Sequence, residues 1–284
     1  MRVCPVKAII ISEGQARVDG DRCIICGTCV RECPQQAKRV RNDLEKTLDM
    51  LKGSNPVIAS VAPSFPAALT EYGSGFLPAA LKKLGFAMVT ETSVGAEMVA
   101  AETAELLKKG GSAWVTSACP VVTSIIQRYY PEACCNIIPI VSPMIAHARY
   151  LKAKYGENYK VVFIGPCPAK KNEAEEAGSV DAVLTFEELR KALEESKIHP
   201  NNLQPTSFDD VRPKNAQVFP LEGGLAKTAS LSSGLLSEDF VSVSGSEQVK
   251  EMIHHLSEDS PIKLFEALFC PGGCINGACL GQSK

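Results

Sequence analysis

Cys23, Cys26, Cys29 and Cys33, the last followed by Pro34, stand in the order C-x2-C-x2-C-x3-C-P. Spacing this tight lets successive backbone turns aim thiolates at one iron-sulfur cubane, so the segment must fold around a cofactor. The chain carries 12 cysteines in 284 residues. A disulfide framework accounts for them poorly: Met1 to Ile11 shows no secretory signal, and a chain of this length buries a core without staples. A zinc knuckle needs two separated C-x2-C pairs or histidines, and none lie nearby. Ligation of iron and sulfide is the reading that remains.

The run resembles those of bacterial ferredoxins. In two-cluster members the cysteine before proline serves the other cluster, not the one held by its own triplet. Cys4-Pro5 resembles the end of a preceding half-motif whose triplet is absent. The swapping rule therefore assigns Cys4, Cys23, Cys26 and Cys29 to one 4Fe-4S cluster and leaves Cys33 without an assignment. Residues 1–40 are expected to form a small ferredoxin-like α+β domain, complete or half of a two-cluster one. Residues 41–54, charged and ending in Gly53-Ser54-Asn55-Pro56, read as a helical linker.

With 45% hydrophobic and 22% charged residues the chain reads as globular, and its net charge of −2 shows no basic excess. Nucleic acid and anionic membrane are poor partners for it. No apolar run reaches the length of about 18 residues needed to span a bilayer, so a cytoplasmic location is expected.

From Val57 onward short apolar runs alternate with amphipathic segments, the pattern of parallel sheets flanked by helices. The fold class is α/β. The polar stretch from Gly156 to Lys160 suggests two lobes, about 55–156 and 157–284, with the cofactor in the cleft between them. Three cysteine motifs sit where strands end: Thr116-Ser117-Ala118-Cys119-Pro120, Gly165-Pro166-Cys167-Pro168-Ala169-Lys170-Lys171, and Cys270-Pro271-Gly272-Gly273-Cys274. Open α/β sheets bind ligands at the carboxyl ends of their strands. Taken singly, each such cysteine reads as a packing residue more often than a ligand.

Together, in this order, the motifs resemble the signatures of the iron-only (FeFe) hydrogenases, over roughly Val57 to Gly277. The resemblance implies that Cys119, Cys167, Cys270 and Cys274 hold a 4Fe-4S cluster, with Cys274 bridging it to a two-iron subsite bearing CO and cyanide, the H-cluster. Lys170 would donate to one cyanide and Ser64, beside Pro63, to the other. It further implies reversible H2 oxidation and proton reduction, with the N-terminal cluster as electron relay. A ferredoxin-like electron partner or a signalling output domain, maturation proteins and an anaerobic setting follow from the same likeness.

Several positions depart from the family pattern. A proton-relaying cysteine is usual where this chain has Ala118, and a methionine is usual at Gly165. Met144, Leu268 and Gly277-Ala278-Cys279 also differ. Groups around a metal tune its potential and proton supply, so slow turnover is expected, as in the sensory branch of the family. The alternative is a non-catalytic iron-sulfur relative that never acquires the two-iron subsite. Glu102 and Glu105 are candidates for a proton route or for surface ion pairs, and Cys279 is a candidate substitute for the missing thiol. Cys134 and Cys135 read as buried packing residues, and His147, His254 and His255 as structural or solvated ones.

Overall fold

The computed structural model describes residues 2–111, 113–230, 239–256 and 260–281; the end of the domain expected at 55–284 lies outside them. The N-terminal unit begins with the antiparallel hairpin β1 (Ile9–Ser12) and β2 (Gln15–Val18). Its turn residues Glu13 and Gly14 have φ of 53° and 73°, the two left-handed positions that a two-residue hairpin loop requires. The one-turn helix α1 (Thr28–Arg31) follows, entered through Gly27 at φ 76°.

Helix α2 (Leu44–Lys52) supplies the helix expected within 41–54 but is no spacer. Leu44 and Thr47 are buried, and Leu48, Met50 and Leu51 pack against the core of the larger domain. The remaining strands are β3 (Val57–Val61), β4 (Met88–Glu91), β5 (Trp114–Val115), β6 (Lys160–Gly165), β7 (Ala182–Thr185), β8 (Phe240–Ser244) and β9 (Leu264–Leu268). The helices are α3 (Phe65–Ala68), α4 (Gly73–Leu84), α5 (Ser93–Lys108), α6 (Pro120–Tyr129), α7 (Pro143–Tyr155), α8 (Lys170–Ala177), α9 (Phe186–Glu195), α10 (Gly224–Thr228) and α11 (Ser246–His254). Among the described residues none is long and apolar enough to cross a membrane.

Two parallel sheets result, one in the order β4-β3-β6-β7 and one in the order β5-β9-β8. Every residue of β3 and of β9 is buried, which is why both read as near-continuous apolar runs: a parallel strand is covered on both faces. The lobes are not the two sequence halves expected. β6 pairs with β3, Ile58 opposite Val161, while β5 joins β8 and β9 in the other sheet. Partners in a parallel sheet are set by long crossovers, and here the chain leaves the first sheet through α5 and returns through α7. These two helices touch at their first turns, where a Cβ on Gly95 would lie 2.3 Å from the Pro143 carbonyl oxygen. The polar stretch at 156–160 is only the turn from α7 into β6.

At this crossing His147 is fully buried, its Nδ1 2.8 Å from Ser60 Oγ, which lies 2.8 Å from Thr92 Oγ1. Burial pushes the imidazole down to about 4, although the charge of Asp210 opposes this. The unfolded chain takes up this proton near pH 6.5 and the folded chain only near pH 4. Stability from this group is therefore present above pH 6.5 and lost on acidification through that window, by about 3 kcal/mol. Denaturant unfolding between pH 7 and 4.5 should show a steeper loss in the wild type than in His147→Asn. Equal pH dependence in the two would refute the assignment.

Candidate metal centres

Two groups of four cysteines converge. Cys4, Cys23, Cys26 and Cys29 line one cavity of about 230 Å³, walled by apolar side chains that include Ala8, Ile24 and Val30. Local backbone geometry aims them. Ile25 at φ 52° and Gly27 turn the chain between the thiols, and the Ala8 and Ile25 amides donate to Cys4 Sγ at 3.2 Å and Cys23 Sγ at 3.4 Å. Burial raises the pKa of Cys26 and Cys29, and the neighbouring thiols of this same group raise them further. Cys33 does not line the cavity; its sulfur accepts from the Ala37 amide at 3.4 Å, and backbone donors lower its pKa.

Cys119, Cys167, Cys270 and Cys274 line a second, tighter cavity of about 40 Å³. Cys119 caps α6 after β5, Cys167 follows β6, and Cys270 and Cys274 flank the turn after β9. Three strand ends from both sheets thus deliver four thiols to the cleft between the lobes. Burial, reinforced by the Cys119 charge, pushes both Cys167 and Cys274 up to about 12, and Cys270 is raised as well. Without metal these groups are neutral thiols; a coordinated metal deprotonates them, so loading releases protons. Among the described residues no three His, Cys, Asp or Glu side chains are grouped to hold a single metal ion. Each set gathers four cysteines around one cavity, the ligand number that a 4Fe-4S cluster takes.

The surroundings of the second cavity are largely apolar. Lys170, 8% exposed, lines it and donates to the Ala118 carbonyl at 3.2 Å and to Glu173 Oε2 at 2.6 Å. Leu268 and Phe269 complete the apolar wall. Ser64 and Pro63 do not line it. Pro63 faces a separate cleft of about 740 Å³ with Glu91 and Arg212, while Ser64 Oγ is buried without a hydrogen-bond partner among the described residues, at the head of α3, which packs against the Cys274–Asn276 turn. A buried hydroxyl lacking a partner marks a donor that a bound group would satisfy.

Other expectations are corrected. Cys134 and Cys135 are exposed, lying on a 3-10 turn whose buried residue is Ala133. Cys279 is buried and does not line the cavity, where Ala278 stands instead; its surroundings include Glu187, Cys167, Glu188 and Lys171, so it does not present a thiol at the wall that Ala118 forms. Glu102 and Glu105 are exposed, and Glu105 forms a surface ion pair with Lys108 at 2.6 Å. His254 and His255 are exposed, and buried His147 is the structural histidine described above. Gly165 has its own reason: a Cβ there would lie 2.6 Å from the Phe163 ring, which fills the space a methionine would need.

Two features were invisible in the motif spacing. Cys26 lines both cavities, and a Cβ on Gly27 would lie 2.5 Å from Ala278 Cβ and 3.0 Å from Pro168 Cγ, so the two centres approach through glycine. Lys171 is the second. It is fully buried, donates to the Val183 carbonyl at 2.7 Å and to both Glu188 oxygens at 3.0 Å, and lies 3.6 Å from Asp43 Oδ2. The motif includes Lys171, but the resemblance gives a role only to its neighbour Lys170.

The family described as iron only hydrogenase large subunit, C-terminal domain, matches residues 55–278, and the 4Fe-4S binding domain matches residues 16–39. The chain is 27% identical over 333 residues to iron hydrogenase 1 of Clostridium pasteurianum, covering 95% of this chain and 58% of that protein. It is 26% identical over 324 residues to the NADP-reducing hydrogenase subunit HndD of Solidesulfovibrio fructosivorans, covering 90% and 55%. The chain therefore spans little more than half the length of these relatives. A solved structure of an [FeFe]-hydrogenase HydA1 variant from Chlamydomonas reinhardtii superimposes with a TM-score of 0.66 over 86% of each chain at 17% identity, a likeness of fold.

The four-cysteine assignment of the first cavity is open to a direct test. Cys4→Ser should lower the iron content of the reconstituted chain by about four atoms and remove one cluster's paramagnetic signal, while Cys33→Ser should leave both unchanged. Loss in Cys33→Ser with retention in Cys4→Ser would reverse the assignment.

Proposed function

This chain belongs to the iron-only hydrogenase large-subunit family, and from that premise we propose that it interconverts H2 with protons and electrons slowly, serving to sense hydrogen or redox state. The observation that carries the reading is the convergence of Cys119, Cys167, Cys270 and Cys274 on one small, largely apolar cavity that Lys170 also lines, with Ala118 at its wall.

The four thiolates would hold a 4Fe-4S cluster, and Cys274 would share its sulfur with a two-iron subsite carrying CO and cyanide. Ser64 and Lys170 would donate to the cyanides. When bound, that group supplies the Lewis acidity and hydride acceptance that splitting H2 demands.

The chain's own residues do the rest. Glu173 and the Ala118 carbonyl hold the Lys170 ammonium in one place, so its remaining donor capacity is preorganised for an anionic ligand. Leu268 and Phe269 keep water from the cavity, which strengthens every polar contact inside it. Ala118 has no exchangeable side-chain proton and Cys279 does not line the cavity, so neither residue delivers a proton from that wall. Slow turnover follows, and slow turnover suits a sensor. Cys4, Cys23, Cys26 and Cys29 would hold the relay cluster beside it. An electron partner or output domain, the delivery proteins that load the subsite and a cytoplasmic, anaerobic setting belong to the same reading.

Infrared spectra of chain produced together with the hydrogenase maturation proteins should show metal-bound CO and cyanide bands where protein is transparent. Their absence from a fully loaded preparation would leave the non-catalytic iron-sulfur reading in place. Ala118→Cys should raise H2 turnover by about 10²-fold, the usual yield of a placed general acid. No gain would show that proton supply at this wall is not what limits the rate.

A further inference from the structure

The cleft of about 740 Å³ that Pro63 faces is lined by none of the 12 cysteines and shares no lining residue with either thiol cavity. One side of it is the body of the first sheet: Pro63 and Phe65 after β3, Ser74 in the first turn of α4, and Glu91 at the end of β4, opposite Val61. The other side is a strap. Residues 203–215 form neither helix nor strand, and the stretch from Pro205 to Phe208, with Arg212 and Pro213, lines the cleft from across. Backbone contacts fasten the strap. The Thr206 amide donates to the Gly75 carbonyl at 3.0 Å and the Asp209 amide to the Val89 carbonyl at 2.7 Å, while the Val89 amide donates to Asp209 Oδ2 at 2.8 Å. Further along, Glu97 accepts from the Lys214 and Asn215 amides. A loop tied down along its length gives a pre-formed concavity of the size that small ligands use.

The lining is a small polar set on apolar walls. Phe65 and Phe208 meet at a ring separation of 5.6 Å and a tilt of 55°, an aromatic corner against which a flat ring packs. Prolines 66, 205 and 213 extend that surface. Glu91 and Arg212 are the charged residues of the lining. Glu91 is only 9% exposed, and burial pushes its carboxyl up from the ordinary value, opposed by the Gln217 amide and the Arg212 charge. A carboxylate so short of water is best satisfied by a ligand edge that offers two adjacent N–H donors, one for each oxygen. Arg212 is exposed, and its planar fork suits a phosphate. Ser74, Thr206 and Ser207 add hydroxyls, which suit a sugar. Guanine carries N1–H beside its N2 amino group on one edge of a flat ring, whereas adenine has an acceptor at N1.

We infer that this cleft binds a guanine mononucleotide, its base edge on Glu91 and Gln217, its ring against Phe208 and its phosphate on Arg212. The assignment goes beyond the functional reading above and does not draw on it. Pro63 and Phe65 line the cleft on either side of Ser64, so the occupant sits beside the segment which that reading gives to the second centre.

The test is calorimetric titration of the full chain, clusters in place, with GMP. Saturable one-to-one binding is expected, with AMP at least about tenfold weaker because its edge leaves a carboxylate oxygen unpaired. Glu91→Gln should weaken GMP binding at least about tenfold. Arg212→Ala, at an exposed position, should weaken GMP about tenfold and leave guanosine, which lacks the phosphate, unchanged. Iron content and visible spectrum show whether each variant has kept its fold; if Glu91→Gln has not, the Arg212→Ala comparison decides. No binding of GMP by the wild type, equal affinity for AMP, or equal losses of GMP and guanosine in Arg212→Ala would each overturn the proposal. Binding by a chain without CO and cyanide bands would sink the hydrogenase reading alone; bands without binding would sink the nucleotide site alone.

Discussion

The buried ammonium of Lys171 is the interaction on which the two centres depend. It joins three separate pieces of chain: α8, in whose first turn it lies, β7 with the first turn of α9, and α2 through Asp43. Glu188 is its main partner and is itself fixed by the Thr185 amide and hydroxyl in a capping box and by the Asp43 amide at 2.7 Å. Such a network contributes less to net stability than to geometry, since a well-packed apolar substitute often does as well. Removing one partner is another matter, because it strands a buried charge at a cost of about 3–5 kcal/mol. The consequence is positional. With Lys171 pinned on one side of α8, Lys170 is held on the other, facing Ala118 and the second cavity.

That arrangement explains how two adjacent lysines acquire opposite tasks and why the sequence conveyed only one of them. Lys170 follows Cys167 at a fixed offset inside a recognisable motif, so its placement near thiolates was legible. The task of Lys171 depends on Asp43 and Glu188, far away in sequence, and no local pattern encodes such a triad. The same distinction runs through the fold. Parallel strands and flanking helices were legible because burial on both faces leaves continuous apolar runs such as Val57–Val61. The division into lobes was not, because nothing in β6 alone specifies β3 as its neighbour. Cys134 and Cys135 show the limit for single residues: cysteine is usually buried, yet here a 3-10 turn at the end of α6 turns both outward.

The departures from the family pattern are better understood as one repacking than as separate losses. Gly165 admits the Phe163 ring, and Ala62 Cβ stands 3.2 Å from where its own Cβ would be. Leu268 sits in the cavity wall in place of a thioether, and Ala118 offers only its carbonyl, which Lys170 uses. Each change removes a flexible or ionisable group and leaves a smaller, more apolar lining. A lining of that kind holds a cluster and excludes water well. It moves protons poorly, and proton movement is what separates fast catalysis from slow response.

The interrupted glycines after Cys274 fit the same account from the other side. Ala278, where the family pattern is usually glycine, turns its methyl group into the space between the two cavities, and it fits only because residue 27 has no Cβ. The Cys279 amide then donates to the Pro166 carbonyl at 3.0 Å, tying the segment after Cys274 to the turn that carries Cys167. Arg31 reaches the Asn276 carbonyl at 3.3 Å, and Arg128 the backbone of Gly20 and Asp21, so the N-terminal unit is held at more than one point. The close approach of Cys26 to the second cavity is therefore framed by the Arg31 and Arg128 side chains, which end on backbone carbonyls, and by the fit of Ala278 and Pro168 against Gly27. A chain can thus vary the lining of one cavity, as at Ala118 and Leu268, while the approach of the two cavities stays under tight steric control at Gly27.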